Sequence, residues 1–152
     1  MSRLHFIHLD KSEENTQDLI KYFHLLDNSF EPPLSSYVNI EPYAEKLIRN
    51  AYVCISRDSD NNFIGLFAVY INNSVDKIAY LSSIAVMEGY KGKGYAQQIL
   101  DYIICTAKSV DMKTLKLDVK KSYPRAIRFY EKNGFIKSDD ETDSTFYMIK
   151  KL

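Results

Sequence analysis

Only five glycines occur in 152 residues, three of them within the twelve-residue stretch "GYKGKGYAQQIL" (89–100). The sequence is poor in several other ways, and each shortage excludes something. It has no charge surplus: twenty Lys and Arg side chains cancel twenty Asp and Glu. That balance argues against non-specific nucleic-acid binding, which requires an excess of phosphate-neutralising charge. Two cysteines, Cys54 in "AYVCIS" and Cys105 in "DYIICTA", both sit in apolar runs. They are expected to be buried free thiols of a reducing compartment rather than a disulfide. No stretch approaches membrane-spanning length, and "MSRLHFIHLD" at the start has no apolar core of a signal peptide, so a cytoplasmic protein without membrane contact is expected. Three histidines, His5, His8 and His24, form no metal-ligand spacing, so no metal is expected.

A chain of this length fits one domain, 1–152, that buries roughly 68–70% of its extended-chain surface. No repeat or low-complexity tract divides it. Residues 4–9 read as a strand, and a helix follows from Glu14 to Asp27 on the spacing of Leu19, Ile20, Phe23 and Leu26. The Pro-containing 28–40 stretch reads as a loop, and Pro42 suits the first turn of a second helix. Tyr52–Arg57, Phe63–Ile71 and Lys77–Val86 form an antiparallel meander across close turns. Tyr95–Val110 is a helix with Ile99, Leu100, Ile103, Ile104 and Ala107 on one face. Residues 114–120 alternate as a strand, 124–133 form a helix ended by Asn133-Gly134, and two last strands flank the acidic turn "DDETDS". The order β-α-α-β-β-β-α-β-α-β-β describes an α/β (α+β) domain around a mixed, largely antiparallel sheet flanked by helices.

Clustered glycines mean a backbone at positive φ, or close approach by a partner. Here they join the strand "IAV" to a long helix. The first N–H groups of that helix lack partners and lie at its positive end, a natural site for phosphate. Two familiar phosphate loops fail. Gly89 and Gly94 match a P-loop, but Tyr95-Ala96 replaces the required Lys-Ser/Thr; Gly92-Lys93-Gly94 begins a dinucleotide fingerprint, but Gln97 stands at its third glycine. Taken alone, the loop fits a tight turn with solvated lysines as well as an anion site.

A second stretch, "SYPRAIRFYEKNGF" (122–135), shifts that balance. Its helix carries Ala126, Ile127 and Tyr130 around one side and leaves sharply through Asn-Gly. Together the two stretches resemble the GNAT superfamily of acyl-CoA-dependent N-acetyltransferases. Its pyrophosphate motif, Q/R-x-x-G-x-G/A, is matched by Lys91-Gly92-Lys93-Gly94-Tyr95-Ala96. Its later motif, N-x-x-A-x-x-F/L-Y-x-x-x-G-F, is matched from Tyr123 through Ala126, Phe129, Tyr130 and Gly134 to Phe135. The element order is similar too, least so before residue 50. Two positions depart: Lys91 keeps the charge of the family's Gln/Arg without an Arg fork, and Tyr123 replaces an Asn.

The resemblance implies acetyl-CoA as co-substrate, with no metal. It implies that backbone groups of Ile84, Ala85 and Val86 pair with the pantetheine arm, one N–H polarising the thioester carbonyl. The Gly92–Ala96 amides would hold the pyrophosphate, with charge from Lys91 and Lys93. Tyr123, Ala126, Phe129 and Tyr130 belong to the later motif, and Tyr130 matches the tyrosine that protonates the departing thiolate. In a chain with twelve tyrosines, the other reading of Tyr130 is a core side chain. For a general base the candidates are Asp118 and either Ser82 or Ser83, since alternation places only one serine on the site face; each also fits a purely structural part. Phe30, Glu31, Tyr37 and Glu41 are candidates to line the acceptor pocket, and Asp139, Asp140, Glu141 and Asp143 form either a cation-attracting or a simply solvated turn. The expected acceptor is an amine of a small molecule or peptide, and an oligomer is open. The alternative reading is a non-catalytic acyl-CoA-binding module.

Overall fold

The computed structural model describes residues 2–152. Its elements are β1 (His5–His8), α1 (Glu13–Leu26), α2 (Ile40–Asn50), β2 (Tyr52–Arg57), β3 (Phe63–Tyr70), β4 (Ile78–Val86), α3 (Tyr95–Ser109), β5 (Thr114–Lys120), α4 (Pro124–Lys132), β6 (Ile136–Glu141) and β7 (Thr145–Lys151). This is the order expected from the sequence. The strands form one seven-stranded sheet in the order β1-β2-β3-β4-β5-β7-β6, with every pairing antiparallel except β4 with β5.

Each face of the sheet carries its own core. On one, Ile99, Leu100, Ile103 and Ala107 of α3 pack on Phe67, Leu115, Leu117 and Met148. On the other, Leu19, Phe23 and Leu26 of α1 and Ala44 and Leu47 of α2 pack on Val53, Leu66 and Ala68. β3 is therefore covered on both sides, which is why "FIGLFAVY" is nearly continuously apolar instead of alternating. Within it, Gly65 approaches β4 so closely that a Cβ would stand 2.2 Å from the Ala85 carbonyl oxygen.

Several local expectations change. Helix α1 starts one residue early because the Ser12 hydroxyl caps it, accepting from the Asn15 N–H at 3.0 Å. α2 begins at Ile40, so Pro42 is its third residue, where a missing N–H still costs nothing. The 28–40 connection contains short 3₁₀ turns at Asp27–Ser29 and Leu34–Ser36, tied by the Asp27 carboxylate, which accepts from the Ser35 N–H at 2.7 Å and its hydroxyl at 2.6 Å. Cys54 is buried, but Cys105 is exposed, because two residues past Ile103 points away from the α3 core face. The acidic stretch is not one turn: Asp139, Asp140 and Glu141 lie in β6, leaving Thr142 to Ser144 as the connection. There the Thr142 hydroxyl accepts from the Thr145 N–H, supplying a turn from the side chain.

Candidate active site

Strands β4 and β5 are paired over only three positions, Ile78 with Thr114, Ala79 with Leu115 and Tyr80 with Lys116. Beyond Tyr80 they part: β4 continues against β3 as far as Val86, while β5 continues against β7 as far as Lys120. The β5-facing edge of residues 81–86 thus has no strand beside it, and two cavities open there. One, of about 480 Å³, runs from Val86 over Lys91, Gly94 and Ala96 to Arg125 and Phe129. The other, of about 410 Å³, is bounded by Tyr37, Tyr43, Ser83, Asp118 and Tyr123. Ser29, Glu31, Ile84, Ala126 and Tyr130 line both, and mark where the cavities meet.

The glycine loop forms the floor of the larger cavity. Gly92 and Gly94 have φ of 77° and 86°, a region closed to most side chains. Gly94 is the N-cap of α3 and no side chain caps that end, so the first N–H groups of a fifteen-residue helix are left for a ligand. Gly89 is in neither situation: its φ is not positive and a Cβ there would meet nothing within 4 Å. Lys91, Arg125 and Lys132 also line this cavity. Unpaired amides at a helix start beside three cations suit a polyanion such as a pyrophosphate, and a strand edge without a neighbour suits an extended arm carrying amide groups.

Of the residues singled out from the sequence, Ile84, Ala85, Val86, Lys91, Gly92, Gly94, Tyr95, Ala96, Ala126, Phe129 and Tyr130 line the larger cavity. Tyr123 lines only the smaller one. Lys93 lines neither, its ammonium lying 6.0 Å from the centre of the Tyr90 ring. Phe30, Glu31 and Tyr37 bound the smaller cavity, whereas Glu41 lies in a separate shallow depression beside His24. His5 and His8 are on β1, His8 stacked on Tyr52 with ring centroids 4.2 Å apart. Among the described residues no group of three or more His, Cys, Asp or Glu side chains is placed to hold a metal.

Alternation does not separate Ser82 from Ser83. In the β3–β4 register Ala68 faces Ser83 but Val69 faces Leu81, so Ser82 is the extra residue of a β-bulge. The bulge shifts the pleat by one, and both hydroxyls meet the Tyr43 hydroxyl, at 2.8 Å for Ser82 and 2.6 Å for Ser83. Burial pushes the Tyr43 phenol above its usual range, an effect the two serine bonds partly offset.

Tyr130 stands on α4 between edge-on Phe129 and Phe135 rings, with centroids 5.4 and 5.5 Å away. Its phenol is pushed up to about 12, first by burial and then by the negative charge of Asp118. Asp118 accepts a hydrogen bond from the hydroxyl of Tyr80, the last paired residue of β4, to which β5 is tied two residues past its own last pair. Burial and the same bond raise the Tyr80 phenol strongly, and Tyr37 is raised to about 12, by burial, then Tyr43 and then Asp118.

Arg125, Lys132, Tyr43 and Tyr80 were not singled out from the sequence. Arg125, Phe129 and Lys132 recur at i, i+4 and i+7, one face of α4, so that spacing carried the signal for the two cations. Nothing local marks Tyr43 and Tyr80, which reach the site through the register of distant elements.

No curated protein matches the chain in sequence. Among solved structures, it is similar to a spermidine N-acetyltransferase SpeG chimera of Vibrio cholerae and hSSAT, at 19% identity and TM-score 0.78 over 99% of this chain and 96% of that one. It is similar to a GNAT-family acetyltransferase from Staphylococcus aureus Mu50 at 16% identity and TM-score 0.73, covering 98% and 99% of the two chains. The ribosomal-protein-S18-alanine N-acetyltransferase of Escherichia coli gives 17% identity and TM-score 0.73, covering 97% and 94%. At such identities these likenesses speak for the fold. The family itself is shown by a match of residues 19–135 to the model of the acetyltransferase (GNAT) family, to which this chain belongs.

Proposed function

We propose that the chain, as one acetyltransferase domain, transfers an acetyl group from acetyl-CoA to the nitrogen of an amine by direct attack. The observation that carries this reading is the position of Tyr130, on the wall shared by a cavity lined with helix-start amides and cations and a second, aromatic cavity beside the same open strand edge. Acetyl-CoA supplies the acetyl group already activated as a thioester. The α3 amides, Lys91, Arg125 and Lys132 would hold its pyrophosphate, and the free edge of residues 84–86 would take its pantetheine arm. A backbone N–H of that edge is held rigidly by pairing with β3, so it offers a fixed donor where negative charge develops on the carbonyl oxygen. The acceptor enters through the cavity of Tyr37, Tyr43 and Asp118. Its nitrogen forms the new C–N bond, the C–S bond breaks with its electron pair left on sulfur, and the proton lost from nitrogen passes through water to that sulfur, giving the amide and free CoA thiol.

Tyr130 serves that sulfur. A phenol near 12 is a weaker acid than a thiol, whose ordinary value is about 8.5, so complete proton transfer runs uphill. A hydrogen bond donated to the developing thiolate has no such requirement, and the raised pKa keeps the donor protonated. The assay is release of CoA thiol from acetyl-CoA against pooled amines, amino sugars and peptides, beside calorimetric titration with CoA. Release with some amine supports acetyl transfer to nitrogen. Binding of CoA without release across the panel would favour an acyl-CoA-binding module, and no CoA binding at high micromolar concentration would sink both.

A further inference from the structure

Three charged side chains line the smaller cavity: Glu31, Asp118 and Lys120. Lys120, two residues beyond Asp118 on β5, is held on the cavity wall by its bond to the Thr145 hydroxyl at 3.3 Å. The two carboxylates remain, and they occupy different ends. Glu31 lines both cavities and so lies near the meeting point at Tyr130 and Ile84, where acetyl transfer is placed above. Asp118 lines only the smaller cavity, two residues along β5 from the last rung of the β4–β5 ladder, whereas Ile84 is four residues along β4 from the same rung. The offset of two residues is roughly 7 Å at strand rise, before shortening by the bulge at Ser82.

Among the described residues no Lys or Arg side chain forms an ion pair with Asp118. Lys116 turns elsewhere, its ammonium lying 5.4 Å from the centre of the Tyr147 ring. Among the described residues the one side-chain hydrogen-bond partner of Asp118 is the Tyr80 hydroxyl, on one of the two carboxylate oxygens. Tyr37 and Tyr123 line the same cavity, and phenol rings beside a carboxylate are the chemistry that receives an alkylammonium. The charge of Asp118 is felt across the cavity, adding to the raised pKa of Tyr37, Tyr43 and Tyr130.

We infer that the acceptor carries a second protonated nitrogen, seated on Asp118, while the nitrogen to be acetylated lies by Glu31 at the junction of the cavities. This deepens the acetyltransferase reading and rests on it. The acceptor class is then short diamines, or amines bearing another cationic centre at a similar distance. A monoamine carries a single ammonium, fills only one of the two ends, and binds less well.

Binding tests this apart from catalysis. Protein saturated with CoA is titrated calorimetrically with 1,4-diaminobutane and with butylamine, for wild type and Asp118→Asn. The wild type is expected to bind the diamine about tenfold more tightly than the monoamine, the worth of one charge-assisted contact. Asp118→Asn should remove most of that difference while leaving the CoA affinity within about twofold. Equal affinities of the wild type for both amines, or no diamine binding at millimolar concentration, would overturn the proposal, and both readings need only the wild type if the variant folds poorly. A ratio unchanged in Asp118→Asn would overturn the assignment of the second nitrogen to that residue. Diamine binding as expected, with no thiol released from acetyl-CoA, would instead count against the acetyltransferase reading alone.

Discussion

The Lys91 ammonium donates to the backbone carbonyl of Ser29 at 2.9 Å, joining the glycine loop to the connection that borders both cavities. The same ammonium lies 3.1 Å from the Glu88 carboxylate. Lys91 therefore has two effects, a positive charge beside the larger cavity and a tie across it. Lys91→Met should weaken acetyl-CoA binding several-fold to about tenfold, and raise the KM of the acceptor as the Ser29 carbonyl loses its donor. Lys93→Met should change both by less than about twofold, because that exposed side chain is not part of the cavity lining. Calorimetry and steady-state kinetics on the two variants provide the check; equal losses would mean that only general positive charge matters.

Four of the five glycines divide by physical requirement, and alanine substitution should reveal the division. Gly92→Ala and Gly94→Ala force a Cβ into the left-handed region, at about 1–2 kcal/mol each. For a chain of this length that is a Tm loss of roughly 2–8 °C, together with weaker CoA binding as the loop relaxes. Gly89→Ala should be neutral or slightly stabilising, having neither strain nor a steric neighbour. Gly65→Ala should be the most damaging, since its Cβ would meet the Ala85 carbonyl, backbone that cannot swing aside. Because that backbone forms the free edge of β4, activity should fall beyond what the lost stability explains. Thermal melts and CoA titrations of the four variants test the ranking.

Tyr43→Phe removes the hydroxyl on which Ser82 and Ser83 converge. The rings of Phe23 and Phe30 that surround this region are unaffected, so the change isolates the hydrogen bonds. The expected cost is about 1 kcal/mol for a typical bond, rising toward about 3 kcal/mol if the buried Ser83 is left without a partner. Urea unfolding should show a lower midpoint with an unchanged m-value. If the midpoint does not move, water or the two serines themselves satisfy the bulge.

What could be read from the sequence follows from how local each signal is. The helices and strands were legible because α3 repeats its apolar residues at helical spacing and β5 alternates over "TLKLDVK". The glycine loop was legible because positive φ imposes residue type within a few positions. The Ser82 bulge was not, since it exists only in the register of β4 against β3, and it undid the alternation argument that separated Ser82 from Ser83. Gly65 passed unnoticed for a similar reason, as its constraint comes from Ala85, twenty residues away in sequence. The acidic run looked like a turn by composition, yet pairing with β7 draws Glu141 into a strand opposite Phe146. Arg125 and Lys132 are legible in the spacing of α4, on the same cavity as Ala126 and Tyr130, but they stand at variable positions of the motif. Tyr80 and Asp118 lie thirty-eight positions apart and are joined by the single parallel pairing in the sheet.

Tyr130→Phe should lower kcat far more than it weakens acetyl-CoA binding. The ring keeps its edge-on packing with Phe129 and Phe135, and only the hydroxyl offered to the leaving sulfur is lost. Removing a donor that acts on charge developed in the transition state costs about 10²–10³-fold, whereas the ground-state thioester carries little charge for it to bind. An acyl donor with a more acidic thiol should recover much of the lost rate. The pH dependence gives an independent check. Because the Tyr130 phenol is raised to about 12, it remains protonated through the range in which an ordinary phenol, near 10, gives up its proton. The rate ratio of wild type to Tyr130→Phe should therefore stay constant from about pH 7 to about pH 10, and shrink only as pH approaches 12. The sign is the same for stability: the neutral buried phenol favours the fold below about pH 10, and that contribution is lost as pH rises through the folded value. Steady-state rates of both proteins across this range, with the chemical step shown to limit turnover, decide it. A ratio that collapses near neutrality would assign the donor to a group of lower pKa, and equal rates would leave Tyr130 as packing between two phenylalanines.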